Sequence, residues 1–247
     1  MNKIRIYKIL PVFNGLKAWG KIHEELLEPI LNPEVEIIQV DLPQAQIKSI
    51  GGAYHTEMVA MLQVEEAIKC EQLGCDAVIL GCLDEPGLPA AKEVLKIPVV
   101  GEAEAAIHYA SLVGRHFSFL ANSAGGNGVL EDLVRKYGFL SKLASIRIVP
   151  GYPLDFSAPP DSLQHAVLAE AQMAVDDDGA DTIIGYGGME MIGFLQANLN
   201  VPVISPVQAS VMMAESLVRL RLMQSKKAFP WPVDLEKSAY IKEKLGD

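Results

Sequence analysis

Gly74-Cys75-Asp76-Ala77-Val78-Ile79-Leu80-Gly81-Cys82 reads as a turn followed by a buried strand, and a similar text returns as Gly179-Ala180-Asp181-Thr182-Ile183-Ile184-Gly185-Tyr186-Gly187. Each copy leads into a helical segment and then a second short strand, Ile97-Pro98-Val99-Val100 after the first and Val201-Pro202-Val203-Ile204 after the second. Continuous apolar, β-branched runs suit strands covered on both faces. Working outward, runs of the same kind recur at Ile4 to Leu10, Val35 to Val40, His116 to Ala121 and Ile146 to Val149, with helical stretches such as Glu57 to Leu73, Ser162 to Asp178 and Gln208 to Gln224 between strands. Strand–helix alternation predicts parallel sheet built from right-handed βαβ units. The expected fold is α/β: two pseudo-symmetric parallel-sheet halves, helices on both faces of each, and a cleft between them. Residues 1–105 with 208–247 are expected to form the first lobe, carrying Cys82, and residues 106–207 the second, carrying Tyr186. Ligands of open α/β sheets bind beyond the carboxyl ends of the strands, so Cys82 and the Tyr186/Gly187 pair are expected to face each other across the cleft.

The bulk composition narrows the function classes. The 247 residues carry a formal charge of −10, and no basic stripe interrupts the acidic balance, which argues against nucleic-acid binding. No apolar stretch approaches the ~18 residues of a membrane span. Met1 runs straight into the strand-like Lys3 to Leu10 without a signal region, and three cysteines with no CxxC pair fit a reducing compartment. A cytoplasmic protein is expected. No GxGxxG or Walker pattern occurs, no His, Cys and carboxylate set has metal-ligand spacing, and no lysine stands out as a Schiff-base former, so neither cofactor nor metal is expected.

Cys82 is the central chemical residue. It ends an apolar strand and precedes Leu83-Asp84-Glu85-Pro86, where Asp84 suits a helix N-cap and Pro86 a first helical turn. Unpaired backbone N–H groups and the positive end of a helix would favour the thiolate, while Asp84 and Glu85 would oppose it if they point inward. Cys70 and Cys75 read as packing residues. Other strand ends supply candidate substrate contacts: Pro11 and Asn14 after the first strand, Asn122 and Ser123 in a glycine-rich turn able to hold a small anion, Leu83 beside Cys82, and Gly187 and Gly188 in the second half. Asn14 equally suits a helix cap. The loop Ser49 to His55 suits a lid, His108 a satisfied core position, and Phe229-Pro230-Trp231-Pro232 a tail docked on the fold or on a partner subunit.

Asp76-Ala77-Val78-Ile79-Leu80-Gly81-Cys82-Leu83-Asp84-Glu85-Pro86-Gly87-Leu88 resembles the first cysteine motif of hydantoin racemases, and Pro98 to Ala106 resembles the segment that follows it there. Gly179-Ala180-Asp181, Gly188-Met189 and Val201 to Val207 are similar to that family's second half. The wider superfamily holds aspartate and glutamate racemases, hydantoin and allantoin racemases, maleate cis-trans isomerases and arylmalonate decarboxylases. The resemblance implies a cofactor-free enzyme, a homodimer or larger homo-oligomer, with two cysteines on opposite faces of the substrate in its racemases. Here the second cysteine is absent. Alignment on Gly188-Met189 puts Tyr186 in its place and counting from Asp181 puts Gly187 there; Tyr186 is preferred, because a phenol holds and transfers a proton. With an ordinary pKa of about 10 it suits an acid better than a base.

The expected activity is a racemase or epimerase acting on a carbon next to a carbonyl in a small amino-acid-derived, hydantoin-like or carboxylate substrate, with Cys82 as thiolate base. The alternatives are a cis-trans isomerase or decarboxylase of a small dicarboxylate using Cys82 as its single nucleophile or proton donor, and a non-catalytic small-molecule binder on the same frame.

Overall fold

In a computed structural model, which describes residues 3–122, 124–149, 160–185 and 189–232, the apolar runs form two four-stranded parallel sheets. The first contains β1 (Ile4–Leu10), β2 (Val35–Asp41), β3 (Ala77–Leu80) and β4 (Val99–Gly101) in the order β2-β1-β3-β4. The second contains β5 (Phe117–Ala121), β6 (Leu143–Ile148), β7 (Thr182–Ile184) and β8 (Val203–Ile204) in the order β6-β5-β7-β8. The two orders are the same topology, with β3 and β7 in equivalent positions, as the repeated text predicts.

Local chemistry repeats with the topology. Asp76, just before β3, accepts the backbone N–H of Arg5 at the start of β1 at 2.8 Å. Asp181, just before β7, accepts the N–H groups of Arg115 and His116 at the start of β5, at 2.9 and 3.0 Å. The paired prolines match too: the Pro98 carbonyl accepts from Val78 and the Pro202 carbonyl from Ile183, both at 2.9 Å.

Helices cover both sheets. A turn of π-helix, Leu16–Gly20, runs into α1 (Lys21–Leu27); α2 (Ala53–Gln72), α3 (Leu88–Val94), α4 (Glu102–Val113), α5 (Ala124–Lys136), α6 (Pro160–Asp176), α7 (Met189–Asn198) and α8 (Pro206–Arg219) follow in order. The last helix of each half crosses to the other. Ala103, Ala106, Ile107 and Ala110 of α4 pack with Phe117, Phe119 and Ile184 of the second sheet. Val207, Val211 and Ala214 of α8 pack with Ile6, Ala77, Ile79 and Val100 of the first. Alanines at these contacts let the helices lie close to the strands, and the exchange locks the halves together across one apolar seam.

Element boundaries differ from the sequence expectation at instructive places. Helix α8 starts at Pro206 rather than Gln208, because the Ser205 side chain accepts the Gln208 N–H and proline is tolerated in the first turn. Helix α3 starts at Leu88, not beside Asp84. Glu85 takes a positive φ of 50° and Gly87 one of 78°, so Cys82 to Gly87 form turns before the helix begins. The tail docks on the first half: Gln224 bonds both backbone groups of Val99 at 3.2 and 3.0 Å, and the Lys226 ammonium sits 3.9 Å from the Trp231 ring centre while donating to the carbonyls of Lys92 and Glu93.

Candidate active site

The carboxyl ends of β1, β3, β4, β5 and β8 converge on one cavity. Pro11 and Val12 enter from β1, Gly81 to Asp84 from β3, Glu102 from β4, Asn122 from β5 and Ser205 from β8, with Trp19 and His23 closing one side and Lys48 to Ile50 another. Of the residues expected from sequence, Cys82, Leu83, Pro11 and Asn122 are brought together here. Asn14 is not: it is exposed, at a positive φ of 57°, and its carbonyl accepts the Ala18 N–H at 3.1 Å, so it turns the chain and stands outside the wall. Ser123, Tyr186, Gly187 and Gly188 lie outside the described residues. The Ser49 to His55 stretch splits, its first part lining the cavity and its last residues opening α2.

Glycine before the cysteine is a steric requirement. A Cβ at Gly81 would lie 2.6 Å from the Ile9 carbonyl oxygen and 3.1 Å from Lys8 Nζ, so the chain can approach β1 only without a side chain. That approach brings Cys82 to the cavity wall, where it is half-buried. The Asp84 backbone N–H donates to Cys82 Sγ at 3.4 Å, the one contact among the described residues that favours the thiolate. Burial is the larger influence and pushes the Cys82 thiol up, with the Asp84 carboxylate adding to it and those of Glu102 and Glu85 acting in the same sense. The helix-start stabilisation expected from sequence does not operate, since α3 begins six residues further on. Cys82 therefore rests as a thiol poised between a donor that supports its ionisation and carboxylates that oppose it.

Around it are groups that the sequence reading missed. Lys8 is fully buried in β1 and forms an ion pair with Glu102, the first residue of α4. Buried pairs seldom add net stability over apolar side chains, and breaking one is costly, so such a pair with Glu102 on the cavity wall points to function. His23 is buried, stacks on Trp19 at 5.7 Å and has its ring held neutral: burial, then the Lys8 ammonium, lowers its pKa to about 3. Asp84 is raised to about 6 by burial, against the opposing hydrogen bond from the Thr56 hydroxyl at 3.2 Å.

Behind the Cys82 loop, Glu85 joins the two halves. Its carboxylate accepts the Tyr137 hydroxyl, which follows α5, and the Glu104 backbone N–H at 2.5 Å. Burial raises Glu85 to about 7, and Tyr137 is raised well above its ordinary value by burial and then by Glu85 and Glu104. A Cβ at Gly101 would overlap the Glu85 carboxyl, so this link needs glycine at the end of β4.

A profile of the Asp/Glu/Hydantoin racemase family matches residues 20–214. The chain belongs to that family. It is 36% identical over 231 residues to a hydantoin racemase of Pseudomonas sp. (strain NS671), covering 92% of this chain and 91% of that one. It is 38% identical over 185 residues to a hydantoin racemase of Paenarthrobacter aurescens, covering 72% and 76% of the two chains. Among solved structures, the allantoin racemase from Klebsiella pneumoniae superposes with a TM-score of 0.85 at 30% identity over 94% of each chain. The chain is accordingly an enzyme of the racemase type, and its two-half α/β fold is the one that these proteins share.

Proposed function

We propose that this enzyme inverts the carbon next to a carbonyl in a small neutral cyclic amide, with a 5-substituted hydantoin as the reference substrate and Cys82 as the acid–base group on one face. The observation that carries this reading is the charge around the thiol. Besides Cys82, the described ionisable residues of the wall are Asp84, Glu102, the exposed Lys48 and a neutral His23, while the buried cation Lys8 is already paired with Glu102. A dicarboxylate would bring negative charge to a wall whose buried cation is spent on Glu102, leaving the exposed Lys48 to offset repulsion from Asp84 and Glu102. An uncharged ring meets none. The similarity to two hydantoin racemases and to an allantoin racemase supports the same substrate class.

The chemistry is two proton transfers. Cys82, ionised, takes the proton from the carbon between the ring nitrogen and the carbonyl, and the electron pair moves onto the carbonyl oxygen as an enolate. Return of a proton from the opposite face gives the mirror-image carbon, and return from Cys82 gives back the starting one. Tyr186 is proposed for the opposite face. The same reading takes the enzyme to work in the cytoplasm, without a cofactor, as a homo-oligomer; free Cys70, Cys75 and Cys82 fit a reducing compartment.

One experiment separates this reading from its relatives. A single enantiomer of a 5-substituted hydantoin incubated in deuterium oxide should lose its optical rotation while gaining one deuterium at the stereocentre, with no other change in composition. L-aspartate, L-glutamate and maleate should be left unchanged. Turnover of a dicarboxylate with hydantoin untouched would overturn the assignment.

A further inference from the structure

His23 is fixed in one tautomer by its neighbours. The Gln39 amide Nε2 donates to the Gly20 carbonyl at 3.0 Å, which fixes the amide's orientation and leaves Oε1 as an acceptor. That oxygen lies 3.3 Å from His23 Nδ1. An acceptor facing Nδ1 requires Nδ1 to carry the proton, so Nε2 presents a lone pair. Nε2 has no hydrogen-bond partner among the described residues, and His23 forms part of the cavity wall. Stacking on Trp19 sets the plane of the ring.

We infer that His23 is a specificity-determining residue whose Nε2 accepts a hydrogen bond from a ring N–H of the substrate. This rests on the reading of the cavity as a cyclic-amide site and adds to it a requirement for an N–H at one ring position. The buried surroundings and then the nearby Lys8 ammonium oppose protonation of the ring, so the lone pair stays available throughout the neutral pH range. A site built to hydrogen-bond an N–H rejects analogues that lack it, because its own acceptor is then left facing nothing or another lone pair.

The test uses three substrates with one 5-substituent: the hydantoin, the oxazolidine-2,4-dione with oxygen in place of N1–H, and the N3-methyl hydantoin. Wild-type enzyme should turn over one of the two analogues with kcat/KM lower by up to about 10²-fold, the cost of leaving one buried acceptor unpaired. His23→Leu should bring the parent hydantoin down towards that analogue, shrinking the ratio at least tenfold, and His23→Gln, which keeps an acceptor, should restore part of it. A second readout is independent of turnover: nitrogen NMR of the wild-type protein should show Nδ1 protonated and Nε2 bare between pH 5 and 8. An Nε2–H tautomer, or the same ratios in wild type and His23→Leu, would overturn the role of His23 while leaving the hydantoin assignment standing. Failure of wild-type enzyme to racemise any hydantoin would instead remove the reading on which it rests.

Discussion

The backbone N–H of Asp84 donates to Cys82 Sγ at 3.4 Å, while the carboxylate of the same residue raises the thiol's pKa. One residue thus supports the thiolate through its main chain and opposes it through its side chain. Asp84→Asn separates the two, since the N–H is kept and the charge removed. Alkylation of Cys82 by iodoacetamide at pH 7 should become about three- to tenfold faster. An unchanged or slower rate would show that the Asp84 carboxylate does not face the sulfur in solution.

Racemisation should follow ionisation of the same thiol. Because burial and the neighbouring carboxylates push Cys82 up, kcat/KM for a 5-substituted hydantoin should rise from pH 6 through neutrality into the alkaline range. A profile that is flat over that range would mean that proton removal does not wait on Cys82.

Lys8 and Glu102 should behave as a coupled pair. Lys8→Met leaves the Glu102 carboxylate on the cavity wall without its partner and should cost about 3 kcal/mol or more of stability. The double variant Lys8→Met with Glu102→Gln should recover most of that loss, as thermal or urea unfolding would show. A loss under about 1 kcal/mol in the single variant would mean that the pair is not closed in solution.

Glu85 gives a stability signature with a definite sign. Its pKa rises from 4.5 in the unfolded chain to about 7 when folded, so the folded state binds more protons between those values. Stability contributed by the neutral carboxyl is complete below about 4.5 and is lost as pH rises to about 7, a change on the order of 3 kcal/mol. His23, held neutral, acts oppositely below its unfolded value of 6.5, so the comparison is between proteins that both retain it. Glu85→Gln should be as stable as wild type near pH 4.5 and more stable at pH 8, with Tyr137 turning its hydroxyl to accept from the new amide. Parallel pH profiles in the two proteins would contradict the burial of a titrating carboxyl there.

The frame was legible because its signal is compositional. Every apolar run read as a strand contains one, and the duplicated Gly-x-Asp text marks the turn before β3 and before β7. The start of α3 was not legible, because Glu85 adopts a left-handed backbone that its residue type does not announce. Asn14 misled for the reverse reason: a polar side chain after a strand suits a substrate contact and a turn alike, and the turn won. Lys8 and Glu102 are 94 residues apart and meet only through sheet register, so neither residue announces its partner in the sequence. The signal that marks Lys8 is its place between Tyr7 and Ile9 in a central strand buried on both faces. His23 and Trp19 sit four residues apart on one helical face, a spacing that would have paired them.

In the proposed reaction a proton moves between the substrate carbon and one sulfur. The direct measurement is deuterium uptake at the stereocentre of a 5-substituted hydantoin, compared between wild type and Cys82→Ser, with circular dichroism confirming that both are folded. The serine variant should incorporate deuterium and lose rotation at least about 10³-fold more slowly, because a hydroxyl is a far weaker acid–base partner than a thiol at these pH values. Uptake by the folded variant within tenfold of wild type would contradict the role of Cys82 and move the chemistry to another residue of the cavity.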